Sequence, residues 1–225
     1  MRETSKAIQR RIHDPNFANR YFTGLGLDIL GGADPLGLYN ELFPNLKSVR
    51  AWTPEDGDAQ TLPDVKDASF DFVHCVQAIA RMENPQIALA HWFRVLKPGG
   101  HLIITAPDED LYEQGQFPST FAPGHLWSFT IHKAKSWSAR SVNLLDALVR
   151  LGPASEIVKV ELLNATYRYR LPRFDQTLTP TGECAIEAVV RKRTPDELAF
   201  GGQRPRQGEV NDRLGALLTG LPPRR

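Results

Sequence analysis

The stretch NPQIALAHWFRVLKPGGHLIITA, residues 84–106, decides the fold class. It reads as helix, stop and buried strand. Asn84 is an N-cap residue, and Pro85 takes the first helical position, where its missing N–H costs nothing. Ala88, Trp92, Val95 and Leu96 follow at helical spacing, flanked by Leu89 and Phe93, so one face is apolar. Lys97-Pro98-Gly99-Gly100 stops the helix with a basic residue, a proline and two glycines. Residues 101–106, HLIITA, are the strand.

The same alternation extends in both directions. Upstream, strands are expected at 26–30, 47–52 and 69–76, with a short helix at 36–43 where Leu38 and Leu42 share a face. Residues 54–67 are rich in acids, proline and glycine and read as loop. Downstream, a helix is expected over 138–151. It carries Val142, Leu145 and Val149 on one side and Leu144, Leu148 and Leu151 beside them, and Gly152-Pro153 ends it. Strands follow at 156–163 and 183–191. No internal repeat is visible. Strands alternating with helices predict an α/β sheet covered on both faces. In such sheets ligands sit beyond the carboxyl ends of the strands. Attention therefore falls on the residues just after positions 30, 52, 76 and 106.

Composition sets outer bounds. The chain has 225 residues, 41% hydrophobic and 24% charged, which suits one globular domain with an appendage. No apolar run is long enough to span a membrane, and the first residues lack the apolar core of a secretory signal. Cys75 and Cys184 give neither a disulfide framework nor zinc spacing, so no metal is expected and a cytoplasmic location is the default. The net charge of +1 argues against a dedicated nucleic-acid surface. That charge is uneven: from residue 191 onward there are eight basic and four acidic residues. The expected organisation is an N-terminal helical segment (1–22), a main domain (23–193) and a basic, loosely ordered tail (194–225) with a short helix near 211–219.

The turn after the first strand is Gly31-Gly32-Ala33-Asp34-Pro35. Small residues let a ligand approach the backbone, and the following helix start offers free N–H groups. This is not a dinucleotide fingerprint, because Gly24 and Gly26 precede the strand end instead of following it.

Over residues 10–195 the chain resembles bacterial stand-alone class I S-adenosylmethionine-dependent methyltransferases. The resemblance rests on Leu27-Asp28-Ile29, Gly31-Gly32, Asp56-Gly57-Asp58-Ala59-Gln60, Phe70-Asp71-Phe72-Val73-His74 and the Val95-Leu96-Lys97-Pro98-Gly99-Gly100 turn. It continues through Asp108-Glu109-Asp110-Leu111-Tyr112-Glu113-Gln114, Trp127-Ser128-Phe129-Thr130-Ile131-His132 and Pro172-Arg173-Phe174-Asp175-Gln176. It implies a Rossmann-like, seven-stranded, mostly parallel sheet with the last strand antiparallel and helices on both faces. It also implies S-adenosylmethionine over the first two strands. Asp28 would orient the first loop or hold the cofactor's amino group. Gly31 and Gly32 would lie under the methionine part, and Asp58 and Ala59 would meet the adenine.

Three departures from the family pattern weaken that site. Leu30 stands where a glycine is expected. Thr53 replaces the acid that holds the ribose hydroxyls. Gln77, Ala80 and Arg81 replace a His, Glu, His set after the third strand. Gln77 still counts among the cofactor-binding candidates. On the acceptor side the candidates are Asp108, Tyr112, Gln114 and Trp127, with His132 nearby and His125 as the catalytic base for an oxygen acceptor.

Two readings follow. In one, the protein is a methyltransferase with a remodelled pocket and a small-molecule or glycan acceptor. In the other, it is a degenerate, non-catalytic homologue with weak or no cofactor binding. Such a pseudoenzyme would pair with an active relative. In either reading the partners expected are copies of the chain or a related methyltransferase, in a homo- or hetero-oligomer.

Overall fold

A computed structural model describes residues 3–131 and 133–204 of the chain. His132 and the helix expected near 211–219 lie outside the described residues. Helix α1 (Glu3–Arg11) leads through a π-helical turn (Phe17–Tyr21) into β1 (Gly24–Ile29). A 3₁₀ segment (Leu36–Leu42) precedes β2 (Leu46–Trp52), and β3 (Phe70–Val76) is followed by α2 (Pro85–Arg94) and β4 (Leu96–Pro107). Then come β5 (Ser128–Thr130), β6 (Ser141–Asn143), α3 (Leu144–Val149), β7 (Ser155–Leu163), β8 (Ala185–Lys192) and α4 (Pro195–Ala199).

Six strands form the main sheet, in the order β2-β1-β3-β4-β8-β7. The first four are parallel, and β8 runs antiparallel to both β4 and β7. The architecture is thus Rossmann-like, with one strand fewer than the family pattern implies. The six strands are the six segments read from the residues. Residues 53–69, which would have to supply a further edge strand beyond β2, hold only a short 3₁₀ turn (Pro54–Asp56) among loops. β5 and β6 pair with each other in a separate two-stranded sheet.

Helix α2 starts as its sequence demands. The Asn84 side chain accepts from the amides of Gln86 and Ile87, at 3.0 and 3.3 Å. The 97–100 stretch belongs to the start of β4, where Gly99 has a φ of +83°. The helix expected over 138–151 is a correction. It begins only at Leu144, because residues 141–143 pair with β5 and the Asn143 side chain caps Asp146. Its buried face is Leu144, Ala147 and Leu148, while Leu145 and Val149 are exposed.

Strand alternation sorts the core into two layers. Leu27, Ile29, Val73, Cys75, Leu102 and Ile104 face α2 and α3, against Leu89, Trp92, Leu144 and Leu148. On the other face Phe72, Ile103 and Val189 pack against Ile8, Phe17 and Phe22. That second face also carries a buried polar row across four strands: Asp28, His74, Thr105 and Glu187, each 3% exposed or less. Arg11, fully buried, reaches down from α1 to this row. It donates to Glu187 at 2.9 Å and to Thr105 Oγ1 at 3.2 Å, and meets His74 Nε2 at 2.9 Å. The N-terminal segment is thereby bonded into the centre of the sheet.

Candidate functional site

The order β2-β1-β3 places a topological switch point beside β1, since the chain moves to one side of it for β2 and to the other for β3. A cavity of about 600 Å³ opens there. Its walls are the turn after β1 (Leu30 to Pro35), the end of β2 (Ala51 to Pro54), the turn after β3 (Val76 to Ala78, and Arg81) and the first turn of α1 (Glu3 and Thr4). The volume suits a cofactor-sized ligand.

The turn after β1 is shaped from below by Asp28. Its Oδ1 lies 2.7 Å from His74 Nδ1, and its Oδ2 accepts from the Leu36 amide at 2.8 Å. Arg11 donates to His74 Nε2, so the imidazole proton sits on Nδ1 and points at Asp28. Burial lowers the His74 pKa and keeps the ring neutral. Both oxygens of Asp28 are therefore committed to the scaffold, and Asp28 does not border the cavity. Of its two implied roles, orienting the loop is the one this geometry serves.

Gly31 must be glycine for a local reason. A Cβ there would collide with Asp28 Oδ2 and stand 2.9 Å from Pro35 Cα. Gly31→Ala is expected to cost about 1–3 kcal/mol of stability, read as a lower urea midpoint with an unchanged m-value. Leu30 has a φ of +52°, a left-handed conformation that favours glycine, and its side chain borders the cavity.

At the end of β2, Thr53 closes a capping box with Asp56. Thr53 N and Oγ1 both donate to Asp56 Oδ2, at 2.8 and 3.0 Å, and Arg50 pairs with Oδ1 at 3.1 Å. The Asp56 carboxylate is thus turned onto its own loop, and it does not take over from the missing acid. Asp58 is held by its own turn as well. The Thr61 hydroxyl and the Gln60 amide both donate to it and keep its pKa below the usual range. Asp58 is exposed, Ala59 is buried, and neither lines the cavity.

Gln77 is the most informative residue. It has a φ of +61°, is 5% exposed and borders the cavity, and neither its amide oxygen nor its amide nitrogen has a partner. Buried side-chain amides are nearly always satisfied, and leaving one unpaired costs roughly 1–3 kcal/mol. A polar ligand in the cavity would satisfy it.

The acceptor-side candidates do not line this cavity. Asp108 caps its own turn, accepting from Asp110 and Leu111 at 3.0 and 2.9 Å, and burial raises its pKa to about 6. Tyr112 belongs to a buried cluster with Leu111, Ala122 and Cys184. Gln114 donates to the Phe174 carbonyl, and Trp127 packs on the core and donates to the Glu83 carbonyl. His125 is buried, with Nδ1 3.3 Å from Glu113 Oε1 and Nε2 unpartnered. Its turn is hung next to the cavity wall: the amides of Leu126 and Trp127 donate to the carbonyl of Ala80, the residue before the wall residue Arg81, and Gly124 lies beside Arg81.

Sequence reasoning missed Glu3, Thr4 and Asp34 as cavity residues. Only Asp34 carried a signal, its place in the turn after β1. Glu3 and Thr4 arrive through tertiary contacts: the Ser5 amide and hydroxyl donate to the two Asp34 oxygens, each at 2.8 Å.

Sheet order and switch point define a Rossmann-like α/β protein, with a cofactor-sized cavity at the switch point. Residues 41–104 match a methyltransferase-domain family model. A methyltransferase from Bacillus halodurans, described as putative in its own report, superposes with a TM-score of 0.50 at 16% identity, covering 84% of this chain and 100% of its own. The [4+2]-cyclase SpnF superposes with a TM-score of 0.53 at 17% identity, covering 85% of this chain and 80% of its own. No curated protein matches the sequence. The chain therefore has the class I S-adenosylmethionine-dependent methyltransferase fold. Among the described residues, no helix is long and apolar enough to cross a membrane.

Proposed function

We propose that the protein is an S-adenosylmethionine-dependent methyltransferase acting on a small-molecule or glycan acceptor. The observation that carries this reading is the unpartnered Gln77 amide, buried in a cofactor-sized cavity at the switch point. The charges of the cavity wall fit the cofactor: two carboxyl groups, Glu3 and Asp34, and one guanidinium, Arg81. S-adenosylmethionine carries an ammonium, a sulfonium and a carboxylate. The Leu30 side chain and the loss of an acid at Thr53 reduce the grip without removing the cavity.

When bound, the cofactor supplies an electrophilic methyl group. Gly31 and Gly32 would hold its amino-acid part, Gln77 would fix its orientation and Thr53 would face the ribose, whereas Asp58 and Ala59 lie off the cavity wall. For a hydroxyl acceptor, Glu113 holds His125 Nδ1 and leaves Nε2 to take the proton. That role requires the turn beside Arg81 to open, because Nε2 is now buried.

Calorimetric titration with S-adenosylmethionine tests the reading. Saturable binding with a submillimolar Kd, a binding free energy of more than about 4 kcal/mol, is expected. Absence of binding at several millimolar would instead leave a methyltransferase fold without its cofactor, the degenerate homologue.

A further inference from the structure

The cavity lacks the usual acid at the end of β2, yet its wall contains two carboxyl groups. Asp34 is spent: its oxygens accept from the Ser5 amide, the Ser5 hydroxyl and the Tyr39 hydroxyl. Glu3 is not. It is 6% exposed, and Lys6 donates to its Oε1 at 2.8 Å. Its Oε2 has no hydrogen bond among the described residues. Lys6 is itself shared with the Thr177 carbonyl. The position of Glu3 is fixed on both sides, by the Ser5–Asp34 bonds to the glycine turn and by Arg11 in the sheet.

We propose that Glu3 is the ligand-reading carboxylate of this cavity, accepting a hydrogen bond from the ammonium of the cofactor's amino-acid part. This rests on the cofactor reading above and adds to it a residue from outside the sheet's own loops. The first turn of α1 is then a wall of the binding site, and its acid offsets the one missing at Thr53.

Electrostatics support the assignment. Burial raises the Glu3 pKa to about 7, against the lowering effect of Lys6, with Glu183 and Asp175 adding to the rise. The charged groups around it are Lys6 on its own helix, Asp175 and Glu183 from the segment before β8, Asp34 from the glycine turn and Arg81 from the turn after β3. Near neutral pH the carboxyl is therefore part-protonated. An ammonium ligand favours its ionised form, so binding at pH 7 releases a proton, and affinity rises as pH passes upward through 7.

The test compares two thioethers on the full chain. S-adenosylhomocysteine carries the amino-acid part, and 5′-methylthioadenosine lacks it. Glu3→Gln is expected to weaken S-adenosylhomocysteine by about ten- to a hundredfold and to leave 5′-methylthioadenosine within about twofold. Calorimetry at pH 7 in buffers of different ionisation enthalpy should show proton release in the wild type and none in Glu3→Gln. Glu3→Asp, which keeps the charge, should fall between. Equal S-adenosylhomocysteine affinity in wild type and Glu3→Gln would overturn the assignment, as would equal weakening of both thioethers. If the wild type binds neither compound, the cofactor reading itself fails, a result distinct from either.

Discussion

Leu30→Gly combined with Thr53→Asp is expected to tighten S-adenosylhomocysteine binding by about one to three decades. The two changes act on different parts of the cavity. Leu30 is held at a φ of +52°, which costs an L-residue roughly 1–2 kcal/mol, and its side chain lies on the cavity wall. Glycine removes both the conformational penalty and the bulk. Some stability is lost in exchange, because Leu30 also packs against the main core. Thr53 spends its hydroxyl and amide on Asp56. An aspartate there can still accept from the Asp56 amide. It gives up the hydroxyl bond to Asp56 Oδ2 and sets two carboxylates side by side, but it restores a carboxylate at the edge where a ribose would lie. A charge-assisted hydrogen bond contributes about 1.5–3 kcal/mol, near one to two decades. Isothermal titration of the double variant and of each single variant separates the two terms. An unchanged affinity in the double variant would mean that the ligand occupies the cavity in another orientation.

The parts of this protein that were legible in the sequence are those governed by local rules. The cap at Asn84 and all six strands of the sheet followed from residue types and spacing. The helix start at 144 did not, because Val142 fits a helical stripe as well as it fits the short strand it joins. The acceptor-side candidates illustrate a different limit. Asp108 and Gln114 are polar residues on loops after a strand, as binding residues would be, but they spend their hydrogen bonds on neighbouring backbone. Composition cannot distinguish a residue that caps a turn from one that waits for a ligand. Gln77 is separable only because its partners can be counted. Glu3 and Arg11 were illegible for a third reason. Arg11 pairs with residue 187, Glu3 reaches the cavity only because α1 docks on the sheet, and no local pattern encodes contacts at that separation. The fold itself does not choose the reaction. SpnF, whose name is that of a cyclase, superposes as well as the methyltransferase from Bacillus halodurans does. The chemistry must be argued from Gln77, Glu3 and Arg81, the groups that face the cavity.

Glu187→Gln is expected to destabilise the protein by about 3–5 kcal/mol, the cost of removing one partner from a buried ion pair. Glu187 is fully buried on β8. Arg10 and Arg11 from α1 and Lys159 from β7 all donate to it, at 2.8–3.0 Å. Without its charge, Arg11 stays fully buried with no anionic partner, held by His74, Thr105 and the rings of Phe17 and Phe22. For a chain of this size the loss corresponds to a fall in Tm of roughly 6–20 °C. Pairing Glu187→Gln with Arg11→Met should recover part of it, because the stranded charge goes too. The pH dependence has a definite sign. Burial alone would raise the Glu187 pKa, but the charges of Arg11, Arg10 and Lys159 outweigh it and hold the carboxyl well below the usual range. Its contribution is therefore complete above the unfolded value of about 4.5 and is lost progressively as pH falls below it. Urea melts of the wild type should show that loss, and Glu187→Gln should lack it. The effect should also reach the cavity. The same network continues from Arg11 through His74 to Asp28, and Asp28 carries the turn after β1. A loosened α1 would also withdraw Glu3 from the wall. Glu187→Gln should therefore weaken S-adenosylhomocysteine binding even at temperatures where the variant is fully folded. A variant that unfolds earlier but binds as the wild type does would confine the network to stability.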